Sequence, residues 1–114
     1  MAQPTLTDIF GQGATQNGTT LTILKADLVD AGLTVNSSNS AESLLVAILK
    51  KASASLTSEN RDSSIDQSVY VDVENQPSFA TRINGNTTAR YIRDTITIEL
   101  DKAYNDTGID PDDY

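Results

Sequence analysis

The chain has no cysteine, no histidine and no tryptophan. Without cysteine there is no disulfide frame, no thiolate nucleophile and no thiolate metal site. Without histidine it lacks the commonest general base near neutral pH and the commonest zinc ligand. Basic residues are scarce too: eight Lys and Arg stand against sixteen Asp and Glu, a net charge of −8. A nucleic-acid-binding domain gains affinity by neutralising phosphates, and an anionic membrane attracts by the same charge. Neither partner is expected here. The longest apolar run, Leu44 to Leu49, is far too short to span a bilayer. Met1-Ala2-Gln3-Pro4 has neither the basic nor the apolar region of a signal peptide. These absences predict a soluble protein made in a cytoplasm.

What is present is enough for a modest core. Leu, Ile, Val and Phe make up 27 of 114 residues, above the roughly 20% line below which chains stay disordered. The clearest helical periodicity runs from Ser40 to Leu56, SAESLLVAILKKASASL. Leu44, Ile48, Ala52 and Leu56 recur every fourth residue, and Leu45 and Leu49 widen the stripe. Asn39 and Ser40 are both good N-cap residues, and Asn39 has Glu42 at capping-box spacing. Such a helix cannot bury its own face, so Leu44, Leu45, Ile48 and Leu49 need a cover.

Strand-like stretches flank it. Thr19 to Leu24, TTLTIL, reads as an N-terminal strand, and Lys25 to Ala31 as a short helix ending at Gly32. The stretch TSENRDSSIDQ after Leu56 is polar throughout except for Ile65. Ser68 to Glu74 alternates Val69, Val71 and Val73 against Tyr70, Asp72 and Glu74. Gln76-Pro77-Ser78 breaks the pattern, Phe79 to Ile83 is a weaker strand, and Asn84-Gly85 signals a turn. Arg90 to Leu100 puts Ile92, Ile96, Ile98 and Leu100 on one face, with Asp94 among them as a sign of a bulge or a sheet end. The spacing predicts an α+β domain: one central amphipathic helix packed on an antiparallel β-meander, with Val69, Val71, Val73, Ile92, Ile96 and Ile98 facing the helix. The strand at 19–24 is a further candidate member of that sheet.

Both ends look extended. Residues 1–18 form an arm and loop, 19–100 a single domain, and 101–114 an acidic tail with five Asp. Leu6, Ile9 and Phe10 either fold back onto the domain or anchor to a neighbour. GQGATQNG lacks the third Gly of a dinucleotide loop and the Lys of a phosphate loop, so it reads as a flexible connection. The tail carboxylates do not keep calcium-loop spacing, and Asp72 with Glu74 or Asp94 with Glu99 read better as strand-surface charge than as a paired acid and base. Asn17, Asn36, Asn86 and Asn105 match the glycosylation acceptor pattern, as an Asn-, Ser- and Thr-rich chain does by chance. Catalytic and metal residues are therefore none, and no cofactor or small-molecule substrate is expected. The one local basic feature is Arg82, Arg90 and Arg93 around Tyr91, residue types favoured at interface anchors. With Ile109 and Tyr114 in the tail, these complete the candidate partner contacts. Neither end has contacts enough to offset its ordering entropy alone, so both are expected to order against neighbouring subunits.

The opening PTLTDIFGQGATQ, the segment NSAESLLVAILKKA, the stretch DQSVYV and the terminal IDPDDY together resemble a small family of virion proteins from cyanobacteria and the tailed phages that infect them. The resemblance spans nearly the whole chain but its motifs carry no chemistry, so it transfers no site residues. It implies a structural virion component, made in the host cytoplasm and located in the particle. The leading expectation is a capsid cement or decoration protein bound to the major capsid protein. The alternatives are a tail, neck or fibre component bound to tail subunits, self-association in either place, or a small intracellular binding module of phage origin.

Overall fold

The computed structural model describes residues 3–104 and 108–114. Asn105 and Asp106, named above in the tail, lie outside the described residues. The fold is α+β: helices pack around one central helix, and that helix in turn lies on antiparallel strands.

The first helix, α1, is Leu6–Phe10. Thr5 caps it by accepting from the Asp8 amide at 3.2 Å, and the Asp8 carboxylate accepts from the Thr5 amide at 2.9 Å. This reciprocal box satisfies two amide donors that a helix start leaves open. Of the two readings of the N-terminal stretch, the fold-back is what the structure shows. Ile9 packs on the core, and the Ser55 hydroxyl donates to the Asp8 carbonyl at 2.9 Å.

The glycine-rich stretch that follows is closely packed rather than a free connection. A Cβ at Gly11 would stand 2.3 Å from Asp27 Cβ, and one at Gly13 would stand 2.2 Å from Leu24 Cδ1. The absence of side chains lets the backbone close on Asp27, whose Oδ2 accepts from the Gly13 amide at 2.7 Å. Strands β1, Thr15–Gln16, and β2, Leu21–Thr22, then form a two-residue antiparallel pair. The expected strand at 19–24 is thus shortened to Leu21–Thr22, and it pairs with its own neighbour instead of joining the larger strands. Lys25–Ala31 is a 3₁₀ helix ending at Gly32, where the short helix was expected.

Helix α2 is Ala41–Ser53. Ser40 is its cap, accepting from the Ser43 amide at 3.1 Å. Asn39 serves the preceding turn instead, its amide donating to the Thr34 carbonyl at 2.9 Å. Of the expected stripe, Leu44, Ile48, Leu49, Ala52 and Leu56 are buried or half-buried, and the face is rotated only where Ala47 takes the place of Leu45. Ala47 and Ala52 are its buried residues, flanked by Leu44 and Ile48, whereas Leu45 is 57% exposed. The small Ala47 side chain lets Leu28 and Leu33 approach the helix, and their packing turns Leu45 outward. Farther along, Ala52 and Leu56 pack against Val71, with Val69, Ile96 and Ile9 around them.

The polar stretch after Leu56 holds a helix that hydrophobic periodicity misses: α3, Ser58–Ser63. It is fixed by buried polar contacts. Thr57 caps it, the Asn60 amide group donates to the Gln67 side-chain oxygen, and Gln67 Nε2 donates to the carbonyls of Thr57 and Val69, both at 2.9 Å. Gln67 and Asn60 are both buried, and such groups are stabilising only when their hydrogen bonds are made.

The remaining strands are β3 (Val69–Val73), β4 (Ser78–Asn84), β5 (Thr87–Arg93) and β6 (Ile96–Leu100). They are antiparallel, as expected, but nested rather than laid side by side: β3 pairs with β6 and β4 with β5. The chain thus forms one long two-stranded ribbon, interrupted where residues 74–77 face residues 94–95. Pro77 cannot donate to a ladder, which accounts for a break on that side. Asp94, flagged as a bulge marker, sits in this interruption. The root of the ribbon, β3 and β6, lies on α2. The outer half carries Ile92 away from the helix, so Ile92 does not join the core row and is 66% exposed.

Leu28→Ala is expected to cost about 2–5 kcal/mol, since Leu28 is the most deeply buried large side chain, while Leu45→Ala should stay within about 0.5 kcal/mol. Denaturant unfolding of both variants checks the rotated helix face. Gln67→Ala removes three hydrogen bonds made by one buried side chain, and a loss of about 1–3 kcal/mol is expected in the same measurement.

Candidate interaction surface

The ribbon's outer half, residues 78–93, is built by local rules. Gly85 and Asn86 form a two-residue loop closed by the Asn84–Thr87 pair. Gly85 has φ 63°, and among the described residues only glycines take a positive φ, which suits a tight hairpin turn with glycine at its first central position. The register then sorts the side chains. Phe79 stands opposite Ile92, Thr81 opposite Arg90, and Ile83 opposite Thr88, all on one face. Ser78 opposite Arg93, Ala80 opposite Tyr91, and Arg82 opposite Ala89 occupy the other. The Arg82 guanidinium lies 5.1 Å from the centre of the Tyr91 ring, within cation–π range.

This half-ribbon stands clear of the body. Phe79 is 77% exposed and Ile83 78%, and among the described residues no helix makes an extensive contact with either face. The radius of gyration is 16.9 Å, against about 13 Å for a compact chain of this length. The accessible surface is 8495 Å², against about 6100 Å² for a folded monomer of this mass. The excess of roughly 2400 Å² approaches what three standard interfaces take from one partner.

Charge is distributed just as unevenly. Residues 78–93 carry three Arg and no acid, leaving five bases against sixteen acids elsewhere, a net charge of −11. Among the described residues, Arg82, Arg90 and Arg93 have no acidic partner within 4 Å. The ribbon root has the opposite character. Its Asp72, Glu74, Asp94, Glu99 and Asp101 are unaccompanied by any base within 69–77 or 94–101. Arg61 of α3 bonds Glu99 at 2.8 Å and lies over the Tyr70 ring at 4.8 Å. The Glu99 hydrogen bond raises the Arg61 pKa further above its ordinary value, so this cation stays charged. Asp72, Glu74 and Asp94 have no basic partner among the described residues.

The residues expected to contact partners fall into three places. Arg82, Tyr91 and Arg93 share one face of the half-ribbon, and Arg90 lies on the other with Phe79 and Ile92. Leu6, Ile9 and Phe10 are half-buried on their own domain through α1. Ile109 is exposed, whereas Tyr114 lies in a groove of about 210 Å³ with Pro4, Ile9, Leu56 and Val69. Asp110 caps the short 3₁₀ turn Pro111–Asp113, and Lys102 Nζ donates to the Gly108 carbonyl at 2.6 Å and to Asp113 at 3.3 Å. The tail therefore makes contacts within its own domain. Sequence reasoning missed Phe79, Ile83 and Ile92 as exposed anchors. The available signal was the Asn84-Gly85 turn between two alternating runs, which closes a hairpin irrespective of any helix. Among the described residues, no group of three or more acidic side chains is placed to hold a metal, and no helix is long and apolar enough to cross a membrane.

Comparison of the chain with family models, with curated proteins and with solved structures finds no match.

Among the described residues the half-ribbon makes no extensive contact with another element, so Phe79→Ser with Ile92→Ser should leave the stability of the free monomer within about 1 kcal/mol of the parent, the scale of one cross-strand pair. A cooperative loss of stability in calorimetry would mean that the half-ribbon is part of the core.

Proposed function

We propose that this protein is a non-enzymatic structural subunit of a phage particle, acting as a capsid cement or decoration protein. The observation that carries the reading is the outer half-ribbon, which exposes Phe79, Ile83, Ile92 and three Arg on a two-stranded scaffold. An isolated hairpin is marginal in water, and exposed apolar side chains of this size mark interaction sites. The excess surface supports an assembly role for the same reason. The resemblance of PTLTDIFGQGATQ, NSAESLLVAILKKA and IDPDDY to small virion proteins supplies the setting. A cement protein must bridge neighbours, and a projecting, sequence-encoded ribbon provides reach without unfolding the body. The partner in this reading is the major capsid protein.

A position in the tail, neck or fibre uses the same ribbon on tail subunits, and copy number separates the two. Mass spectrometry of purified particles of a phage encoding the chain is expected to find it at a copy number comparable to the shell protein. A few copies per particle would move it to the tail. Absence from particles, with the protein present in the infected cell, would overturn both and leave an intracellular binding module.

A further inference from the structure

The charges and apolar side chains of the outer half-ribbon are divided between its two faces. Arg90 shares one face with Phe79, Ile83 and Ile92, and Arg93 shares the other with Arg82 and Tyr91. A surface laid on either face meets only part of that set. The edge of β5 gives access to both, because a strand in the plane of the ribbon turns alternate side chains to each face. We propose that the outer edge of β5 accepts an extended segment of a partner protein as a third strand. That segment carries two carboxylates three residues apart, one opposite Arg90 and one opposite Arg93.

The register identifies the free backbone groups. In an antiparallel ribbon, pairs that exchange both hydrogen bonds alternate with pairs that exchange none. The pair that closes a two-residue loop exchanges its bonds, and here that pair is Asn84 with Thr87. Counting outward, Ile83–Thr88, Thr81–Arg90 and Phe79–Ile92 exchange none, so their N–H and C=O groups point away from the ribbon. On β5 these are the groups of Thr88, Arg90 and Ile92. They make no backbone hydrogen bond elsewhere among the described residues. Thr87–Arg93 is exposed along its length except at the half-buried Ala89, and no proline or lysine blunts this edge.

Charge selects the occupant. Arg90 and Arg93 are the only charged residues of β5, and among the described residues neither has an acidic partner within 4 Å. The single cation of β4, Arg82, already lies over the Tyr91 ring, so β5 is the edge with unanswered charge. An added strand sets its side chains about 5 Å from those directly opposite. Residues opposite Arg90 and Arg93 are three apart and fall on opposite faces, as the two arginines do. Between them, the residue opposite Ile92 lies on the apolar face, where an aliphatic side chain extends the Phe79–Ile92 pair. A third strand also brings a marginal hairpin up to the smallest sheet that is stable in water. The inference rests on the reading of the outer half-ribbon as the interaction element and adds the chemistry of what it holds.

An NMR titration of the full chain at low ionic strength tests it, with the end-capped peptide Thr-Glu-Val-Thr-Glu-Val-Thr as probe. Amide protons of Thr88, Arg90 and Ile92 are expected to move downfield at millimolar peptide, while those of Ala89 and Tyr91, already bonded to β4, change little. The same peptide with Lys in place of Glu should bind about tenfold more weakly or less, since both cross-strand pairs turn repulsive. Salt should weaken the Glu peptide. Arg90→Glu with Arg93→Glu should invert the preference between the two peptides. No response to the Glu peptide would overturn the proposal, as would equal affinity for both peptides or shifts confined to β4. Shifts of the arginine signals by duplex DNA alone would overturn it in favour of nucleic acid, and shifts that follow protein concentration alone in favour of self-pairing. The peptide preference and salt dependence of the parent decide the matter even where the double variant fails to fold. The titration uses the free chain, so its failure leaves the role in a particle to the copy-number measurement, and absence from particles leaves the strand addition standing.

Discussion

The close approach that α2 permits at Ala47 and Ala52 is the contact on which the rest of the fold depends. Two small side chains on one face let two different structures reach the same helix. Leu28 and Leu33 come in at Ala47, and Val71 and Leu56 at Ala52. A larger residue at either position would hold its partner off and open space elsewhere, because close-packed interiors do not absorb added volume freely. Everything else is attached to these two clusters. The 3₁₀ segment Lys25–Ala31 brings the glycine-rich loop with it through Asp27, α1 docks through Ile9, and Gln67 ties α3 to the start of β3.

This core is small, and that shapes what the chain can do with its strands. Val69, Val71 and Ile96 are held against α2, and beyond them no element remains to cover a sheet. A third or fourth strand beside the root would expose its inner face. The ribbon instead continues outward, past a break that Pro77 and the uneven spacing at 94–95 create. The outer half satisfies its inner backbone groups by its own ladder, but its side chains have no interior to enter. Exposed Phe79, Ile83 and Ile92 are then the direct consequence of a topology that runs out of helices.

Much of this could be read from the residues, and the failures have physical causes. The α+β class, the helix expected over 40–56 and found at 41–53, the short helix ending at Gly32, and the turn signalled by Asn84-Gly85 and formed by Gly85-Asn86 all follow from local chemistry. The helix face was misjudged at Leu45 because hydrophobicity counts a leucine above an alanine, whereas the packing selected the smaller residue for close approach. Helix α3 was invisible because its hold is a set of buried hydrogen bonds around Asn60 and Gln67, which leaves no apolar period. The strand order failed at Ile92, since alternation reports that a face exists and not what lies opposite it. The exposed outer half was legible only in part: Arg82, Arg90, Tyr91 and Arg93 were interface candidates by residue type, whereas Phe79 and Ile83 were read only as part of a weaker strand and Ile92 as core.

The charge pattern of the ribbon bears on specificity more than on strength. An exposed two-stranded arm with free edges can pair with almost any other strand, which makes it a hazard for aggregation. Arg82, Arg90 and Arg93, with no acid in 78–93, make pairing of one outer half with another repulsive, and Asp72, Glu74 and Asp94 do the same around the root and the interruption. A hairpin with a neutral tip would have no such preference. The same logic constrains any different partner. A subunit that takes the outer half must offer carboxylates to Arg82 and Arg93 on one face and to Arg90, among Phe79, Ile83 and Ile92, on the other, and a partner without them leaves those cations without a counter-charge at the contact.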